Sequence, residues 1–265
     1  MKVTTIPFSF PIVFQYLTWY NASEVSTMLF YYIRHGDPIY KPDSLTPQGI
    51  LQAEALSKRL ALYGVDQIYS STSNRAIMTA KPTCDLLKLE PQLLDFAHES
   101  HAAKELMIDD PELGRRWLFH NPKIRALFNT KQIRDLGDRW YTHPEFQAYN
   151  YEKGMARIYN EADAFFESLG YEHIRYTGQY KMKKSNDQRV ALFAHQGFGM
   201  AFLSCLLDIP YPMFCTHFDL CHSSLTVIEF REEDGHAIPK VLTLSSDAHL
   251  YREDLPTCYN NRLYF

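Results

Sequence analysis

The chain has 265 residues, 46% of them hydrophobic, which is enough for one sizeable α/β core or a core with an appended cap. Its formal net charge is -4 with acids and bases interspersed, so no basic stripe offers a footprint for nucleic acid, and an anionic ligand must be drawn in by a local cluster of cations. The five cysteines, Cys84, Cys205, Cys215, Cys221 and Cys258, are an odd and scattered set, unlike the disulfide framework of a small secreted domain, and they point to a reducing cytoplasm.

Ile6 to Tyr20 is apolar and aromatic, but Pro7 and Pro11 interrupt it and a single lysine precedes it. It makes a poor signal peptide and is too short and broken for a spanning helix, which needs about 20 apolar residues, so no membrane partner is expected. Residues 1–27 are read as an extension, and 28–265 as one domain. The apolar run from Met28 to Ile33 predicts a strand that ends at Arg34-His35-Gly36, and the carboxyl end of a strand is where open α/β sheets present chemistry. Thr46-Pro47 predicts a helix start. Ala53, Leu56, Leu60 and Tyr63 give that helix one apolar face, and Gly64 supplies its stop. Val65 to Tyr69 reads as the next strand. After Ser70-Ser71-Thr72-Ser73-Asn74, the series Ile77, Ala80, Cys84 and Leu87 marks a second helical face, in which Pro82 should kink the helix or end its regular hydrogen bonding.

Residues 101–186 are rich in helix formers and aromatics, among them Trp117, Phe119, Trp140 and Phe165, with no evident strand pattern. They predict a helical insertion that caps the ligand-binding face. Lys181 to Asp187 reads as a polar connection with solvated lysines. Arg189 to Ala194 is the next strand; it delivers His195 and leads into a helix over Phe198–Leu207, with the Gln196 backbone N–H at its start. Strands alternating with helices predict a doubly wound, mostly parallel α/β sheet with helices on both faces and a ligand site at the carboxyl ends of the strands.

Several of these pieces fall in a familiar order: Arg34-His35-Gly36, Leu45-Thr46-Pro47-Gln48-Gly49 with Gln52-Ala53-Glu54, Ser70-Ser71 with Arg75-Ala76 and Thr79-Ala80, Leu93-Leu94-Asp95, His195 with Gln196-Gly197, and Ser223-Ser224-Leu225-Thr226. Together they resemble the histidine phosphatase superfamily, the group that includes cofactor-dependent phosphoglycerate mutases, over roughly residues 28–100 and 187–230. The resemblance implies a phosphoglycerate mutase-like fold and phosphoryl transfer through a phosphohistidine, with His35 as nucleophile. Arg34 and Arg75 would clamp the phosphoryl oxygens with planar, permanently charged donors, His195 would complete the cage, and the Gln196 N–H would add a donor. Such a cage should hold His35 unprotonated, because a nearby positive charge disfavours imidazolium. The acid position falls on Asp95, an aspartate in place of the usual glutamate. Glu99 is the alternative, and Asp95 is preferred. Asp37 reads as a tether for Arg34 or another cage residue through a salt bridge, and Lys41 and Ser44 are candidate substrate contacts. The stretch Pro38–Ser44 lacks the asparagine that mutase-like members often carry, which weighs against a mutase.

Two sets of residues suggest metal ligands, Cys215, His217, Cys221 and His222, and His98, Glu99 and His101; neither has a recognised zinc spacing. There is no Gly-x-Ser-x-Gly elbow for a serine hydrolase and no Gly-rich nucleotide fingerprint. The expectation is a metal-independent phosphatase for a small phosphomonoester, working without a cofactor. A phosphomutase and a non-catalytic phospho-ligand binder are the alternatives.

Overall fold

The computed structural model describes residues 25–260, so the apolar stretch Ile6–Tyr20 lies outside the described residues, as does most of the extension assigned to 1–27. The chain opens with β1 (Thr27–Arg34), a hairpin of β2 (Pro38–Tyr40) and β3 (Asp43–Leu45), α1 (Pro47–Tyr63), β4 (Gln67–Ser71), α2 (Asn74–Leu87) and β5 (Gln92–Leu94). Next come α3 (Glu99–Leu106), β6 (Met107–Asp110), β7 (Gly114–Trp117), α4 (Pro122–Phe128), α5 (Lys131–Leu136), α6 (Tyr151–Ser168), β8 (Tyr171–Ile174) and β9 (Gln179–Met182). The last part is β10 (Arg189–Ala194), α7 (Gln196–Leu207), α8 (Tyr211–His217), β11 (Leu225–Glu233), β12 (His236–Ala237), β13 (Lys240–Ser246) and α9 (Ala248–Arg252).

Among the described residues the main sheet has nine strands in the order β5-β4-β10-β1-β11-β12-β9-β8, with β13 also on β11. β5, β4, β10 and β1 run parallel, the doubly wound block that the alternation of strands and helices predicts. Beyond β1 the pairing turns antiparallel. Successive side chains of β1 leave opposite faces of the sheet. Phe30 and Tyr32 enter a core with Phe166 of α6 and Phe202 of α7, while Tyr31 and Ile33 enter a second core with Leu56 and Leu60 of α1 and Ala80 of α2. Covered on both faces, β1 and β10 read as unbroken apolar runs rather than alternating ones.

Two expectations need correction. Residues 101–186 carry strands as well as helices, namely the β6–β7 hairpin and the β8–β9 pair. These strands are four residues long, and Asp109, Asp110, Arg115 and Arg116 dilute the apolar pattern that would announce the hairpin. Lys181 and Met182 belong to β9, where Lys181 lies opposite His236 of β12, rather than to a loop. α2 runs through Pro82 to Leu87; the proline, having no N–H, interrupts the regular hydrogen bonding as expected without ending the helix. No helix among the described residues is long and apolar enough to cross a membrane.

Candidate active site

β1 and β10 are parallel neighbours that end level, with Arg34 opposite Ala194, and the His35 N–H donates to the Ala194 carbonyl at 3.0 Å. The residues just past both strands therefore leave the same edge of the sheet. The His35 and His195 rings come edge to face with centroids 5.2 Å apart, and both are buried. His35 Nδ1 lies 2.7 Å from the Gly36 carbonyl oxygen. That oxygen can only accept, so Nδ1 carries the hydrogen and Nε2 keeps its lone pair. A Cβ on Gly36 would stand 2.7 Å from the Gly49 oxygen, and one on Gly49 2.3 Å from the Asp37 oxygen. The loop carrying His35 thus rests on the first turn of α1 at a distance only glycines permit.

Both expected arginines are buried beside this pair. Arg34 Nη1 donates to the Leu220 carbonyl and Nη2 to Asn260 Oδ1. Asn260 Nδ2 in turn donates to Gln196 Oε1, and Gln196 Nε2 to Asp219 Oδ1. Arg75 Nη1 pairs with Asp43 Oδ1 at 2.8 Å, and its guanidinium lies 5.4 Å from the centroid of the Tyr40 ring. Arg75 Nη2 sits 3.1 Å from His195 Nδ1. A guanidinium only donates, so His195 accepts at Nδ1 and turns its Nε2–H to Ser71 Oγ at 2.8 Å. The Nε atoms of both arginines are buried without a partner, and an orphaned charged donor is costly unless an anion comes to meet it. Burial, followed by the charges of Arg34 and Arg75, holds His35 well below its ordinary pKa. Burial, followed by His35 and Arg75, does the same to His195.

Asp37 does not reach Arg34, the first of the two tethers expected of it, and lies instead against His222. Its Oδ2 accepts from Thr46 Oγ1 at 2.7 Å, where Thr46 caps α1, and its Oδ1 lies 3.4 Å from His222 Nδ1. Asp43 of the β2–β3 hairpin supplies the tether instead, on Arg75. In the same hairpin Lys41 is exposed and Ser44 Oγ donates to the Pro42 carbonyl at 3.1 Å. His222 has no role in the sequence beyond that of a metal-ligand candidate. It stacks on His35 with centroids 6.0 Å apart, and burial, then Arg34, lowers its pKa to about 3.

The two candidate acids part company. The Asp95 carboxylate is exposed, hydrogen-bonded to His101 at 3.0 Å and Thr72 at 3.2 Å, and the His101 bond lowers its pKa. Glu99 accepts the backbone N–H groups of Gly197 and Phe198 at 3.0 and 2.9 Å, closing the first turn of α7. Burial outweighs those two bonds and leaves its carboxyl above the ordinary value. α7 itself begins at Gln196, so that residue's backbone N–H stands at the helix N-terminus beside His195, as expected. Asn260, Asp43, Ser71 and His222 are the residues that sequence reasoning missed as parts of this site. Among the described residues no three His, Cys, Asp or Glu side chains converge to hold a metal ion.

A family model described as the histidine phosphatase superfamily, branch 1, matches residues 30–239. No relative among curated proteins matches the sequence. Solved structures of similar fold include a mutant phosphoserine phosphatase from Entamoeba histolytica in complex with phosphoserine, at TM-score 0.55 and 18% identity over 84% of this chain and 99% of that one. Mycobacterial glucosyl-3-phosphoglycerate phosphatase in complex with VO3 matches at TM-score 0.53 and 16% identity, over 82% of this chain and 99% of that one. Alpha-ribazole phosphatase from Shigella flexneri matches at TM-score 0.53 and 17% identity, over 83% and 97% respectively. The likeness is one of fold, the phosphoglycerate mutase-like arrangement.

Proposed function

The chain belongs to the histidine phosphatase superfamily, branch 1, and from that premise we propose that it hydrolyses a small phosphomonoester through a phosphohistidine at His35. The observation that carries this reading is the state of His35: held neutral by its burial and then by the charges of two arginines, and pinned through Nδ1 so that Nε2 is the free nitrogen. The similar folds belong to phosphatases, which supports hydrolysis over transfer to a second substrate.

In this scheme Nε2 of His35 attacks phosphorus, an N–P bond forms, and the P–O bond to the alcohol breaks. Arg34 and Arg75 hold the phosphoryl oxygens, with the Gln196 N–H adding a donor at the start of α7. His195 walls the cage and positions Arg75 through its Nδ1. Glu99, whose raised pKa suits a proton donor, gives its proton to the departing alcohol; it then takes one from the water that cleaves the phosphohistidine, releasing phosphate and restoring His35. No step calls for a metal or cofactor. The five cysteines are free thiols, which supports a reducing, cytoplasmic setting. A single domain with residues 101–186 inserted is supported by α6, which shares the core of β1 and α7.

The test is phosphate release from p-nitrophenyl phosphate and a panel of metabolite phosphomonoesters in EDTA, wild type beside His35→Ala. Release that resists EDTA and falls by at least about 10³-fold in the variant is expected. Equal release from both proteins would refute the nucleophile.

A further inference from the structure

The backbone of His35 is held from two sides. Its N–H donates to the Ala194 carbonyl of the neighbouring strand, and its carbonyl accepts from the Ser223 N–H, each at 3.0 Å. The Arg34 N–H donates to the Ser224 carbonyl at 3.2 Å. Ser223 and Ser224 belong to a four-residue turn, Cys221–Ser224, which the Ser224 N–H closes on the Cys221 carbonyl at 3.1 Å. This turn leads into β11 and is the support against which the Arg34-His35 backbone rests at the end of β1.

The turn adopts a conformation that its sequence does not favour. Ser223, its third residue, has φ +58°, in the left-handed region where a Cβ is crowded and glycine or asparagine is the usual occupant. Such strain persists only where surrounding contacts hold it. Ser223 is completely buried, and among the described residues its hydroxyl has one partner, Nε2 of His249 in α9 at 3.0 Å. His249 is buried too, and that burial, followed by the charge of Arg59, lowers its pKa to about 4, so its imidazole is neutral near pH 7. A neutral imidazole nitrogen can donate to a hydroxyl or accept from it, so either tautomer makes the bond. The chain of contacts thus runs from α9 through one serine side chain to the backbone carbonyl of His35.

Resting on the phosphatase reading, we propose that His249 is a positioning residue for His35: by holding the Ser223 hydroxyl it keeps the left-handed turn in place, and the turn keeps the His35 backbone, and with it the imidazole, aligned for attack on phosphorus. His249 acts through Ser223 and has no part in binding the ester or in bond making.

Glycine takes positive φ about as readily as negative φ, so in Ser223→Gly the turn no longer needs the hydroxyl bond. A double-mutant cycle over His249→Leu and Ser223→Gly is therefore read as kcat and KM on p-nitrophenyl phosphate, with Tm alongside. In the Ser223 background His249→Leu is expected to lower kcat about tenfold with KM held within about twofold, and His249→Gln, whose amide can replace Nε2, to keep most of the rate. In the Ser223→Gly background the same His249→Leu change should cost less than about twofold in kcat. If His249→Leu does not fold, His249→Asn, whose shorter amide stops short of Ser223, takes its place in the cycle. An equal loss of kcat in both backgrounds, or a lowered Tm with kcat kept, would overturn the positioning role while leaving the phosphatase reading intact. If wild type does not cleave the ester, the phosphatase reading fails by itself. The water-exchange rate of the His35 Nδ1 hydrogen, measured by NMR and identified by its absence in His35→Ala, then decides the role of His249: it must rise in His249→Leu and return in the double variant, and a rate that ignores residue 249 overturns the proposal.

Discussion

At Glu99 two effects oppose each other. Two backbone N–H groups favour its ionised form and burial disfavours it; burial prevails, so the protonated acid persists above the ordinary carboxylate range. His35 is shifted the other way and stays neutral well into the acid range. For an ester with a poor leaving group, kcat/KM should hold level on the acid side and fall as pH rises through the raised Glu99 pKa. Glu99→Gln should lower that rate by about 10²–10⁴ and remove the alkaline fall, while p-nitrophenyl phosphate, whose leaving group needs little help from a proton, loses less. Asp95→Asn should leave the profile in place, because that carboxylate faces water and His101. An Asp95→Asn enzyme that lost the alkaline fall would assign the acid to Asp95 instead. Arg34, His35, Arg75 and His195 were legible in the sequence because each follows a strand or opens a helix with a local signature. Asp43 and Asn260 were not, since they meet their arginines across 32 and 226 residues of chain. Nor could spacing choose between Asp95 and Glu99, because the choice turns on which carboxyl leaves water.

Among the elements, α7 is the one on which the proposed cage depends, since it opens at Gln196 beside His195. Its first turn is held by the Glu99 carboxylate and pressed by Trp117 of the β6–β7 hairpin. Gly197→Ala would place a methyl group inside the indole, so either the hairpin or the helix must shift. The expected cost is about 1–3 kcal/mol of stability, with a fall in kcat/KM on every ester, measured by urea unfolding and by p-nitrophenyl phosphate turnover. Wild-type values on both counts would mean that Trp117 gives way freely. The helices α1 and α2 were readable from their periodic faces, and α1 also from its Thr46 cap and Gly64 stop. The β6–β7 and β8–β9 strands were not, because four-residue strands with charged or exposed positions leave too few alternations to recognise.

The whole molecule should show stability with two limbs in pH. His173 lies between Asp163 at 2.8 Å and Asp208 at 3.1 Å. Burial opposes its charge, but the two carboxylates outweigh burial and raise its pKa to about 9. A raised pKa adds stability that is complete below the unfolded value near 6.5 and is lost as pH climbs through about 9, on the order of 2 kcal/mol. Burial depresses His222 to about 3 and His249 to about 4, and lowers His35 and His195 as well. The unfolded chain takes up those protons near pH 6.5, so stability is lost as pH falls below that value. Tm should therefore peak near neutrality, and His173→Gln should lower the peak and flatten the alkaline side. A wild-type Tm unchanged between about pH 6.5 and 9.5 would contradict the role given to His173.

At this scale the parallel block was legible from the order of elements. The antiparallel half was not, because nothing local tells β11 to return beside β1. That return has a consequence for how the protein is made. β1 is the earliest strand described, yet it lies mid-sheet with both edges taken, by β10 from residue 189 and β11 from residue 225. As the chain leaves the ribosome, an apolar strand with two bare edges must wait for most of the polypeptide to follow, the situation in which nascent chains stick to one another or to chaperones. The strand that leads into His35 is thus, among the described strands, the one longest left without partners during synthesis.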